Sequence, residues 1–189
     1  MEIKKIPKQI WEYLKKDTWD SWIVSIILVF IVIKYIFFPF MSLITGASLP
    51  LVIVESCSMY HYSNFESWWL DNSEWYETHN ISKTEFESWS FKNGLNKGDI
   101  ILVIGSKEYK KGDTIIFNAQ SRYPLIHRVI SESPISTKGD NNFMQLEMEK
   151  EIAKDAIIGK AVLRIPLLGW VKLIFFEPFK SEEQRGLCA

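Results

Sequence analysis

The sequence predicts a mainly β protein: a single N-terminal transmembrane helix followed by an antiparallel-sheet domain with a small helical insert. Three observations predict it. Ser21 to Ile44 is almost wholly apolar, and a bilayer span needs roughly 20 such residues. Beyond Gly94, runs rich in Val, Ile and Phe (DIILVI, DTIIFN, PLIHRVI) alternate with turn residues, as short strands do. An acidic, Trp-rich segment interrupts them. The division is therefore 1–20, N-terminal segment; 21–45, apolar helix; 47–179, β domain with the insert 62–93; and 180–189, tail.

A length of 189 residues suits one ordinary domain with a small insert. A formal net charge of -1 argues against nucleic acid as the main partner, because phosphate neutralisation needs a basic surface. Two Cys residues, Cys57 and Cys188, make neither a disulfide framework nor a zinc site. No HExxH, CxxC or glycine-rich phosphate loop occurs. No metal or organic cofactor is expected.

The apolar helix comes first. Lys4, Lys5, Lys8, Lys15 and Lys16 precede it, and no Lys or Arg follows Lys34 until Lys83. Positive charge stays inside, so the N-terminus is expected in the cytoplasm and residues from Ala47 onward outside. Lys34 can snorkel, and Trp19, Trp22 and Tyr35 suit the interfaces. Thr45-Gly46-Ala47 also offers a small-residue cleavage site. Signal h-regions run about 7–15 residues, however, and this run is longer, so a retained anchor is expected.

Leu49 to Val54 reads as a strand that stops at Glu55-Ser56-Cys57-Ser58. Were it extended to Ser58, Val52, Val54, Ser56 and Ser58 would share a face, with Cys57 opposite. The insert carries Glu66, Asp71, Glu74, Glu77, Glu85 and Glu87 beside Trp68, Trp69, Trp75 and Trp89. Ser82-Lys83-Thr84-Glu85 has capping-box spacing. One or two short helices are expected, their Trp residues packing on the domain, covering a site or lying on a membrane. Lys-Gly-Asp recurs at 97–99, 111–113 and 138–140. The first two lead into apolar strands and read as turns. The third leads into Asn141-Asn142, so Asp140 needs another explanation. Ile157 to Arg164 is a further strand, and Pro166 to Phe176 a core strand or interfacial segment.

A serine nucleophile needs a base, and the base an orienting group. Of the three His residues, His61 is close in sequence to Ser58, His79 lies in the polar insert, and His127 sits in a strand sharing a face with Leu125 and Val129. That leaves His127 either a satisfied core residue or a catalyst.

The motif order Ser56-Cys57-Ser58-Met59, Gly98-Asp99, Gly112-Asp113, Ile126-His127-Arg128-Val129, Thr137-Lys138-Gly139-Asp140-Asn141-Asn142, Gly159-Lys160-Ala161 and Pro166-Leu167-Leu168-Gly169 resembles type I signal peptidases of the archaeal and endoplasmic-reticulum kind. It covers the chain from the anchor to about Val171, except the insert. The resemblance implies a signal-peptidase-like catalytic domain that removes signal peptides from exported preproteins at the outer membrane face. It implies Ser58 as nucleophile, His127 as general base, and Ser56 with the Ser58 N–H toward the oxyanion. Cys57 stands where the family has Gly, and His61 where it has Pro. The family's second Asp falls at Leu146. Asp140 is thus expected to orient His127, with Glu147 as the alternative acid. An extended substrate would lie beside Leu49–Ser56, with Val52 and Val54 lining shallow pockets. Partners would be preproteins, membrane lipid and the protein translocon. Two rival readings stand beside this: a weakened or inactive homologue that binds preproteins or the translocon, and a membrane-anchored structural β protein. A thiol nucleophile at Cys57 is a further alternative.

Overall fold

An apolar run with no turn residue until Pro39 has one economical conformation, a helix that bonds its own backbone. In the computed structural model, which describes residues 6–119 and 123–188, the chain divides into two units, Met1–Ile44 and Thr45–Ala189. Lys4 and Lys5 lie outside the described residues.

In the first unit, α1 (Ile6–Leu14) precedes α2 (Trp19–Val32). The Ser21 hydroxyl donates to the Tyr13 carbonyl (2.8 Å), tying the two together. A π-helical turn, Ile33–Phe37, leads into α3 (Phe38–Thr45). Pro39 accounts for the widening: its ring crowds the carbonyl four residues back, and an extra residue per turn relieves that. The Phe38 N–H accordingly bonds the Ile33 carbonyl, five residues back. The helical run Trp19–Thr45 spans 27 residues, about 40 Å at the α-helical rise. It is long and apolar enough for a signal sequence or a membrane anchor.

The second unit is built on a six-stranded antiparallel sheet whose strands, counted along the chain, lie across it in the order first, second, sixth, third, fourth, fifth. The strands are β1 (Leu51–Ile53), β2 (Ile100–Ile104), β3 (Thr114–Phe117), β4 (Leu125–Glu132), β5 (Ile135–Lys138) and β6 (Ile157–Ile165). Every residue of β3 is buried. Ile116 packs with Val54, Met59, Leu95, Ile101 and Val103. Ile115 and Phe117 pack in a second cluster with Val129, Ile135 and Ile152. The alternation along a strand thus supplies two cores from one element.

The unit is mixed α/β rather than mainly β. The insert forms α4 (Phe65–Thr78) and α5 (Lys83–Glu87). Asn64 and Ser82 cap them, accepting N–H bonds from Ser67 (3.0 Å) and Glu85 (3.2 Å). Phe65, Trp68, Trp69, Tyr76, Ile81 and Phe86 bury together with Ile130 of β4. Of the three roles open to the Trp residues, packing the insert onto the sheet accounts for Trp68 and Trp69. The last apolar run is a helix, α6 (Trp170–Phe176), not a core strand. The turn before it is fixed by Leu167 N–H to Asp99 Oδ1 (3.1 Å) and Gly169 N–H to the Gly98 carbonyl (2.8 Å). Only Leu173 of α6 is fully buried, while Val171, Ile174, Phe175 and Phe176 are exposed.

The Lys-Gly-Asp repeats divide as expected. Gly98 and Gly112 have φ of 92° and 91°, where L side chains are strained. Asp99 and Asp113 accept backbone N–H bonds from Asn96 (2.8 Å) and Lys110 (3.0 Å). The third repeat does neither.

Candidate active site

β1 ends at Ile53, and one more pair of backbone bonds follows: Val54 N–H to Asp99 O (2.9 Å) and Gly98 N–H to Val54 O (2.8 Å). The chain then turns, with the Tyr60 N–H on the Cys57 carbonyl (3.1 Å). Met59 anchors the turn. Its side chain is fully buried, and its carbonyl accepts the Leu95 N–H (2.7 Å). The loop after β5 holds the turn from another side. Asn141 donates its N–H to the Ser58 carbonyl (2.8 Å) and its side-chain amide to the Cys57 carbonyl (3.1 Å). Ser56 and Ser58 end with their hydroxyls 3.1 Å apart. The sharing of a side foreseen from strand alternation is present, though a turn produces it.

His127 enters from β4, opposite Ile115 of β3. It is 2% exposed. Its Nε2 lies 2.9 Å from Ser58 Oγ. Its Nδ1 faces Glu149 Oε1 in a close hydrogen bond. Glu149 is fully buried and also accepts the Thr137 hydroxyl (3.1 Å) and the Leu146 N–H (2.9 Å). Gln145 braces that segment, donating to the carbonyls of Thr137 (2.9 Å) and Glu149 (3.1 Å). A carboxylate accepts only, so Nδ1 carries the proton and Nε2 offers its lone pair to Ser58. The line Glu149–His127–Ser58 can move a proton off the hydroxyl and stabilise the imidazolium that results.

The structure does not bring Asp140 to His127. Neighbouring residues of a strand point to opposite faces, so Arg128 leaves β4 on the side away from His127, and Asp140 goes with it. Arg128 donates to Asp140 through Nε (2.9 Å) and Nη2 (2.7 Å). His61 Nε2 lies 3.1 Å from Asp140 Oδ2, and the Tyr76 hydroxyl donates to Oδ1 (3.3 Å). Burial would raise the Asp140 carboxyl, but the Arg128 charge and the bonds from His61 and Arg128 outweigh it and hold it well below the usual carboxylate range. The ring of His61 stacks on Trp68 at 3.6 Å. This network joins the insert to the loop bearing Asn141, so Asp140 supports the Ser58 turn from behind. Burial also pulls Lys138 down to about 8, against the charges of Asp140 and Glu149.

Glu147, the alternative acid, is exposed and pairs with Lys150 (2.5 Å). Glu149 escaped the sequence reading. Glu147, Glu149 and Glu151 alternate, and no spacing ranks them. A 3₁₀ turn over Glu147–Glu149 turns only Glu149 inward. Val54 is a core residue and Val52 packs against that core, so neither lines the site. A depression of about 500 Å³ opens at Ser56, Ser58 and His127, walled by Leu125, Asn141, Asn142, Phe143, Met144 and Leu146. Cys57 and Cys188 form a disulfide, contrary to the reading from their number. Two Cys in a chain cannot announce a pairing across 131 positions. The bond leaves Cys57 no thiol. With the apolar helix, it points to an extracytoplasmic location for the second unit. Among the described residues, no group of three His, Cys, Asp or Glu could hold a metal ion. Compared with known proteins, the chain matches no family model and no curated sequence.

Proposed function

We propose that this chain is a membrane-bound serine endopeptidase of the archaeal and endoplasmic-reticulum signal peptidase type, removing signal peptides from exported preproteins. One observation carries the reading: Ser58 Oγ lies 2.9 Å from His127 Nε2, whose other nitrogen rests on a buried carboxylate. Ser58 Oγ attacks the scissile carbonyl while His127 takes its proton. The oxyanion faces the Ser58 N–H and the Ser56 hydroxyl, and donors so placed are each worth roughly 3–4 kcal/mol. His127 returns the proton to the leaving amine, giving an acyl-serine. A water deprotonated by His127 then releases the acid and restores Ser58. The helical run Trp19–Thr45 anchors the enzyme with its N-terminus cytoplasmic, and the second unit works where exported chains emerge. Membrane lipid and the translocon are the surroundings this requires. The weakened-homologue alternative rests on the missing second Asp and on Cys57 in place of Gly, and Glu149 offers His127 a carboxylate where that Asp is missing.

The test is incubation of the purified full chain with a labelled preprotein, beside Ser58→Ala and His127→Ala. The expected result is one shorter product with a new N-terminus from the wild type and none from either variant. Equal products from all three, or none from any, removes the reading.

A further inference from the structure

The C-terminal segment is fastened by groups the proposed chemistry does not use. Lys97 is 2% exposed, and an unpaired buried ammonium is costly. Its donors go to Glu177 Oε2 (2.7 Å) and the carbonyls of Gln184 (2.6 Å) and Gly186 (2.9 Å). The Gly186 N–H closes back on Glu177 Oε2 (2.9 Å). Two residues later Cys188 is bonded to Cys57, the neighbour of Ser58. Lys180, from the same segment, donates to the Glu55 carbonyl (3.3 Å). The Ser58 turn is therefore gripped from two directions. Asn141 and Leu95 hold the carbonyls of Cys57, Ser58 and Met59. The stretch from Glu55 to the Cys57 side chain, which carries Ser56, is held by the C-terminal segment.

We propose that segment 177–188 is a positioning brace for Ser56 and Ser58, and that its disulfide latch makes the site's activity depend on thiol redox state. The catalytic half of this rests on the serine-peptidase reading above. Both sulfurs belong to half-buried residues, within reach of a small dithiol. One thiolate of the dithiol attacks a sulfur of the Cys57–Cys188 bond and forms a mixed disulfide. Its second thiolate displaces the protein sulfur. The dithiol leaves as a cyclic disulfide, two electrons having passed to the protein as two thiols. The turn then loses its covalent support on the Ser56 side, while the Asn141 grip and the wall of the depression stay. The effect falls on kcat rather than KM.

The experiment compares the full chain oxidised, reduced with dithiothreitol, and reoxidised, beside a Cys57→Ser, Cys188→Ser double variant. It measures kcat and KM on a preprotein-derived peptide and amide hydrogen exchange over residues 55–60. Reduction should lower kcat by about 10- to 100-fold, the scale of a 1 Å misplacement, with KM little changed and faster exchange at 55–60. Reoxidation should restore both, and the double variant should match the reduced protein and ignore the dithiol. Unchanged exchange on reduction overturns the brace. Faster exchange with unchanged kcat overturns its catalytic role. Faster exchange in a chain that cleaves nothing even when oxidised supports the brace and removes the peptidase reading instead. Should the double variant not fold, Lys180→Met keeps the disulfide and drops the bond to Glu55. A smaller fall in kcat is expected there, and none overturns the positioning role.

Discussion

Replacing Glu149 by Gln keeps the shape of the side chain and changes one oxygen to NH2. Three donors converge on the two carboxylate oxygens: His127 Nδ1–H and the Thr137 hydroxyl on Oε1, and the Leu146 N–H on Oε2. With the amide oxygen toward His127, the NH2 confronts the Leu146 N–H across 2.9 Å. A backbone donor left unsatisfied there costs about 1–3 kcal/mol. With the amide turned over, Leu146 is satisfied and the NH2 faces His127. The Thr137 hydroxyl can rotate to accept, and His127 can move its proton from Nδ1 to Nε2. This second arrangement is the cheaper, and in it Nε2 can no longer take the Ser58 proton. The expected loss in kcat is about 10⁴-fold, as for the wrong tautomer in a serine triad, or roughly 5 kcal/mol of activation free energy. Peptide cleavage followed by chromatography measures it, with thermal unfolding in parallel to show that the variant is folded. Asp140→Asn is the contrast. It leaves the buried Arg128 charge without its partner, so it should cost about 3–5 kcal/mol of stability. A Glu149→Gln enzyme within tenfold of wild type would refute the assignment. So would an Asp140→Asn enzyme of full stability that no longer cleaved the peptide.

Three other outcomes follow from the same geometry. A Cβ on Gly139 would lie 2.8 Å from His127 Nε2 and 2.8 Å from the Ser58 carbonyl, so Gly139→Ala should part Ser58 from His127 and lower kcat about 100-fold; wild-type cleavage by that variant contradicts the site. Asp140 is depressed in the folded state, so its stabilisation is complete above the ordinary Asp range and fades as pH drops below about 4. Lys138 is lowered to about 8 from 10.5, so the unfolded chain binds the extra proton and stability should rise across that window. Denaturant midpoints against pH, with Lys138→Met removing the alkaline rise, check both.

The legible parts share a cause. Val- and Ile-rich runs specify strands through local sterics, those of β2 and β3 opening on Gly-Asp turns, and β2, β3, β4 and β6 lie where such runs do. The caps at Asn64 and Ser82 act within three residues of themselves, and Ser82 was readable for that reason. β1 came out shorter than expected because its extension beyond Ile53 has backbone partners at Val54 alone and then turns. The last apolar run could not be assigned from its length. Its helix depends on a turn tied to Asp99 and Gly98, some seventy positions earlier.

The sequence by itself determined the apolar helix, the strand pattern and the placing of Ser56 and Ser58 at the end of the first strand, because each follows from periodicity or from motifs a few residues long. Only the tertiary structure decided which carboxylate meets His127 and which meets Arg128. It alone also decided where Cys57 finds its partner. Those choices depend on which face of β4 a side chain leaves and on contacts up to 131 positions apart, and no local rule of propensity or spacing carries that information.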